Sequence, residues 1–157
     1  MDVAAGLDLP LPHLHPVTVR ASDIDAYNHV NNAVYVVWCD HCAWHHSAVL
    51  GLPIERCLQL DRGMAVLRSV ISYVRPALLG DELQVATWLL PGASRLCVRR
   101  RFQIVRARDA VTMARADIEY VCIQLSSGRP MRWPAEFQEH YRCLPAVLAA
   151  AQALPPL

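Results

Sequence analysis

The chain contains no lysine; all 15 of its basic residues are arginine. Guanidinium forks suit repeated phosphate or carboxylate recognition, but the many alanines and prolines beside them point to GC-rich coding as the simpler cause. Charge of either sign is scarce: charged residues make up 18% of the 157, against about 25% in an average soluble protein. With 54% hydrophobic residues, intrinsic disorder is excluded. The formal net charge of +1 provides no whole-chain field to draw the protein to nucleic acid or to an anionic membrane. No uncharged apolar run is long enough to span a bilayer. The start, MDVAAGLDLPLPHLHP, has an Asp where a secretory signal carries basic residues, and prolines interrupt its apolar stretch. The six cysteines, Cys39, Cys42, Cys57, Cys97, Cys122 and Cys143, show no disulfide-framework spacing. Buried reduced thiols in a cytoplasmic protein are therefore expected.

What is present reads as one domain. Residues 1–15 lack periodicity and are expected to form a loose leader, residues 16–143 the domain, and residues 144–157 a partly ordered tail. Residues 16–22 suit a short strand. Residues 33–50 (AVYVVWCDHCAWHHSAVL) are the clearest helix. Asn31 or Asn32 is available as N-cap, and Gly51 followed by Pro53 is a stop signal. This helix would be ~27 Å long and apolar nearly all round, so a single curved sheet is expected to wrap it. Strands are expected over 63–75, 82–90, 94–108 and 111–126, joined by short turns into antiparallel hairpins. Residues 134–142 suit a short helix. In the last hairpin, aligning the apolar faces sets Phe102 opposite Ile118 and Arg101 opposite Glu119 across a three-residue loop, Asp109 to Val111. The run Arg99-Arg100-Arg101 then pairs with carboxylates on the outer face.

The segment Ser22-Asp23-Ile24-Asp25-Ala26-Tyr27-Asn28-His29-Val30-Asn31-Asn32 gathers two carboxylates, an imidazole and three amides just before the helix. Free N–H groups and partial positive charge at a helix start can stabilise an oxyanion. A carboxylate beside them can act as general base or nucleophile on a carbonyl. Acyl transfer or hydrolysis fits these residue types, and so does a simple capping loop. Cys39, Cys42 and His46 share a helix face, yet the pair Cys39/Cys42 lies mid-helix and no second ligand pair follows at usable spacing. No metal and no other cofactor is expected.

The stretch SDIDAYNHVNNAVYVVW resembles the signature of hotdog-fold thioesterases of the 4-hydroxybenzoyl-CoA thioesterase family, and plant acyl-carrier-protein thioesterases have a similar HVNN segment. YVRPALLGDEL and SSGRPMRWP resemble the family's turn after the helix and its sheet exit. The likeness covers roughly residues 16–134. It implies an α+β hotdog fold, an antiparallel sheet around one long helix, and a homodimer or homotetramer with sites at subunit interfaces. It further implies hydrolysis of an acyl thioester of coenzyme A or of an acyl-carrier protein. By position, Asp25 is the catalytic carboxylate, the Asn32 N–H receives the thioester carbonyl, and His29 polarises the substrate or orients the loop. Tyr35 and Trp38 are candidates to line the acyl pocket. Arg95, close behind the turn where some relatives bind phosphate, is the candidate contact to the thiol-side partner. Many relatives carry glycine where this chain has Asn28, so its loop backbone is expected to differ. A hotdog dehydratase or hydratase, or a non-catalytic acyl-binding module, would share the fold.

Overall fold

The computed structural model describes residues 6–155 and 157. Its elements are β1 (His13–Thr18), α1 (Asn32–Val49), α2 (Ile54–Gln59), β2 (Arg62–Tyr73), β3 (Glu82–Pro91), β4 (Cys97–Arg106), β5 (Thr112–Gln124), α3 (Ala135–His140) and α4 (Pro145–Ala151). The five strands form one sheet in the order β1-β3-β4-β5-β2, with every pairing antiparallel. Helix α1 lies on one face of it, and Tyr35, Trp38, Cys39 and Cys42 pack there with Val85, Phe102, Ile104 and Ile118.

The helix is not enclosed on all sides. Its opposite face leaves Val36, Val37 and Trp44 exposed, because the sheet covers one side only. Both ends of the chain also depart from expectation. Leu9 and Val147 join Trp88 and Leu90 in a second, smaller core on the sheet's other face. Asp8 ion-pairs with Arg115, the Gln103 amide accepts the Asp8 N–H, and Trp88 Nε1 donates to the Pro10 carbonyl. Residues 6–15 are thus fastened and not a loose leader, and 145–151 form a packed helix; the first five residues lie outside the described ones. Both segments cover apolar side chains that the outer face of β3 would otherwise expose.

The β4–β5 register needs correction. Phe102 faces Ala116, Arg101 faces Asp117 and Arg99 faces Glu119, two residues from the expected pairing. The apolar faces still coincide, because a two-residue slip preserves alternation. A register shift between Ile104 and Val105 takes up the difference at the turn, where Ala110 adopts a positive φ of 55°. The arginine run is also divided: Arg101 points outward to Asp117, whereas Arg100 points inward to α1.

Candidate active site

The loop before α1 is built on its own backbone. The Asp25 N–H donates to the His29 carbonyl at 2.8 Å, the Asn28 N–H returns to the Asp25 carbonyl at 3.0 Å, and Ile24 bridges Val30. Asp25 Oδ1 accepts the Tyr27 N–H at 2.8 Å, an Asx turn that fixes the carboxylate. Asn28 has φ 61°. That is left-handed backbone, which glycine enters freely and asparagine tolerates, so Asn28 keeps a conformation that suits the glycine of many relatives. Two further bonds hold the loop from outside: Asn31 N–H to the Asp23 carbonyl at 2.8 Å and Val30 N–H to the Ala77 carbonyl at 3.0 Å.

Asn31 is the N-cap; its side chain accepts the Ala33 N–H at 2.9 Å. Asn32 is therefore the first helical residue, and among the described residues its N–H meets no acceptor. That N–H sits at the positive end of an 18-residue helix, on a residue that is exposed. Asp25 is half-buried, and His29 is exposed in the same loop. The loop thus supplies a carboxylate and an imidazole, and the helix start that follows it a free N–H, the residue types needed to activate water or attack a carbonyl and to receive the oxyanion.

The YVRPALLGDEL segment supports this loop and helix start. Tyr73 at the end of β2 donates its hydroxyl to the Asn32 carbonyl at 2.9 Å. Ala77 donates its N–H to the Tyr35 hydroxyl at 3.0 Å while its carbonyl takes the Val30 N–H. Gly80, at φ 82°, closes the turn, and the Asp81 carboxylate accepts the Leu78 N–H. Tyr73 was not among the expected site residues, and its position one strand-end from Asn32 is visible only in three dimensions.

The remaining expected residues fall elsewhere. Tyr35 is 2% exposed, with its hydroxyl committed to Ala77. Trp38 is a core residue against the Tyr35 ring, one edge reaching an open cleft of about 510 Å³ beside Asp23 and Val34. Arg95 is exposed in the β3–β4 turn and lines a cleft of about 750 Å³ together with Arg132, which the sequence pattern did not single out. Cys39 and Cys42 are core thiols; burial raises both, Cys42 to about 12. Among the described residues no cluster of His, Cys, Asp and Glu has metal-binding geometry, and no helix is long and apolar enough to cross a membrane.

A family model described as the Thioesterase-like superfamily matches residues 19–141. The chain belongs to this family. Its Thioesterase-like relatives include the long-chain acyl-CoA thioesterase FadM of Escherichia coli K12, 29% identical over 129 residues that span 78% of this chain and 92% of FadM. Among solved structures, the 1,4-dihydroxy-2-naphthoyl-CoA thioesterase Slr0204 of Synechocystis superposes with a TM-score of 0.75 at 21% identity, over 83% of this chain and 96% of that one. The Staphylococcus aureus protein SAV2348, solved in complex with CoA, gives 0.76 at 15% identity, over 95% and 97%. The fold is the hotdog fold.

Proposed function

We propose that the protein hydrolyses acyl thioesters of coenzyme A or of an acyl-carrier protein, in the cytoplasm and as a homodimer or homotetramer. The free Asn32 N–H at the helix start, together with the Asx-held Asp25 in the loop that leads into it, carries this reading. Asp25 activates water or attacks the carbonyl to form an anhydride. The Asn32 N–H and the helix dipole hold the oxyanion, and His29 polarises the substrate or orients the loop. Thiolate is a good leaving group, so the scheme asks for no metal or redox cofactor. Tyr35 and Trp38 shape the acyl site from within the core. Arg95, with Arg132 beside it, suits the phosphates that both coenzyme A and a carrier protein's phosphopantetheine bring.

Oligomerisation is supported by the placement of these parts. Asn32 sits at the Tyr73 end of β2, and Tyr73 aligns through Ala114 with Ile104 at the far end of β4. Arg95 precedes the near end of β4, and the run from Cys97 to Ile104 alone covers ~24 Å. A second copy that brings its Arg95 end to this chain's Asn32 end completes the site. Release of free thiol from a panel of acyl-CoA and acyl-carrier substrates tests the activity. Enoyl hydration without thiol release would replace it with the dehydratase or hydratase reading, and binding without either reaction with the acyl-binding module.

A further inference from the structure

Two consecutive arginines of β4 are equally buried and differently served. Arg101, 4% exposed, has Asp117 at 2.9 Å and Asp8 at 4.0 Å. Arg100, 3% exposed, forms no ion pair among the described residues. It donates to His46 Nδ1 at 2.8 Å and to Ser47 Oγ at 2.9 Å, and its guanidinium carbon stands 5.6 Å from the Tyr141 ring centre. None of these is a counter-charge. Burial and the arginine itself hold His46 down at about 3, so the ring accepts as a neutral imidazole. Ser47 gives its proton to the Ala43 carbonyl and also accepts from the Tyr141 hydroxyl, so it has no further capacity to donate. A guanidinium carries five N–H donors and keeps its charge. An unpaired buried charge is costly to retain.

Arg100 lines a cavity of about 60 Å³ with Ser47, Met64, Tyr120 and Tyr141, and with Asp40 and Trp44 on its exposed side. That is room for roughly two water-sized groups, enough for a carboxylate but not for an acyl chain. Helix α1 runs from the oxyanion end to this cavity. Asn32, Val36, Asp40, Ala43 and Ser47 follow at spacings of four, four, three and four, so they form one ridge. Ser47 lies ~22 Å along that ridge from the oxyanion N–H. Asp40 on the rim is a like charge for an anion, but it is exposed and screened, whereas Arg100 acts in the low-dielectric interior.

We infer that this cavity receives the far end of the acyl group and selects long acyl chains that end in a carboxylate, with Arg100 as the counter-charge. This rests on the thioester reading, which places the near end at Asn32. Calorimetric binding of two non-hydrolysable CoA thioethers to the full chain, one whose 16-carbon chain ends in a carboxylate and one whose chain ends in a methyl group, tests it without turnover. The carboxylate-ended probe is expected to bind on the order of 10–100-fold more tightly, the range of one charge-assisted contact. Arg100→Met should bring the two probes to parity. Met64→Phe, which fills the cavity and leaves the arginine in place, should do the same if Arg100→Met fails to fold. Equal binding of the two probes by the wild type overturns the inference, as does a carboxylate preference that survives in folded Arg100→Met. Thiol release from palmitoyl-CoA and from the mono-CoA ester of hexadecanedioic acid keeps the two claims apart. Turnover without carboxylate preference sinks only the subsite, and carboxylate preference without turnover sinks only the hydrolase reading.

Discussion

A carboxylate that spends one oxygen on the backbone keeps the other for chemistry. Asp25 Oδ1 holds the Tyr27 N–H, and an asparagine side chain can accept the same bond. Asp25→Asn should therefore preserve the loop while kcat falls by on the order of 10²–10⁴, the range for losing positioned acid–base help. Asp23 is the internal control. Its carboxylate accepts the Arg20 N–H and its carbonyl the Asn31 N–H, so Asp23→Asn should lower thermal stability slightly and activity little. Steady-state kinetics on folded variants decide this; wild-type turnover in Asp25→Asn would move the catalytic carboxylate elsewhere. The candidates Asp25, His29 and Asn32 can be proposed from the sequence because they are local to one loop. Arg100 and Tyr73 are not, because what each does depends on a partner about 40 or 50 positions away on α1. Tyr35 and Trp38 show the converse: aromatic residue types on a helix do not say which way they face.

At the level of elements, β1 and α1 meet through histidines. His13 Nε2 lies 2.9 Å from His45 Nδ1, the His13 ring stacks on His46 at 4.5 Å, and His15 sits against His45. Burial is the main cause that depresses His13 to about 4 and His46 to about 3 from the ordinary 6.5, and it lowers His15 as well. Rings held neutral in the fold take up protons in the unfolded chain first, so this contribution is complete above pH 6.5 and drains away as pH falls toward 4. The melting temperature should be level between pH 8 and 7 and fall steadily from 6.5 to 4.5. His13→Phe, which keeps a stacked ring and removes the proton site, should flatten that fall. A wild-type profile with no slope between pH 6.5 and 4.5 would contradict the account. Periodicity and turn residues made β2 to β5, α1 and the short helix near 134–142 legible to within a few residues, whereas β1 begins at His13, inside the expected leader, and shares only residues 16–18 with the strand expected over 16–22. They could not supply the β4–β5 register, because a two-residue slip leaves the alternation intact. Nor could they place the chain ends, whose packing depends on Trp88 and Gln103 in distant strands.

The whole molecule shows an apolar side that one chain does not cover. Val36, Val37 and Trp44 on α1 are exposed, and on β2, an end strand of the sheet, Val66 and Leu67 are 55% and 57% exposed. An edge strand with large apolar neighbours is a surface that proteins pair or protect. Composition had signalled this excess of apolar residues without saying where it lies. A second copy over β2 would bury it, and light scattering across a dilution series should find no active monomer.

Shared sites have a sharper consequence. If Asp25 of one copy works with Arg95 of another, the two defects are separable by mixing. Asp25→Asn should abolish turnover through kcat, whereas Arg95→Ala should raise KM with kcat nearly unchanged, the mark of lost uniform binding. In a mixed dimer of the two variants, one site carries both substitutions and the other carries neither. The intact site should turn over with both the wild-type KM and the wild-type kcat, so co-refolded mixtures should regain a component that combines the two, which neither parent does. If Asp25 and Arg95 served the same site from one chain, every site in the mixture would carry one defect, and no component with both the wild-type KM and the wild-type kcat could emerge at any mixing ratio. The kinetics of a single titration of one variant into the other therefore decide whether the ~24 Å of β4 between these ends is bridged within a chain or between copies.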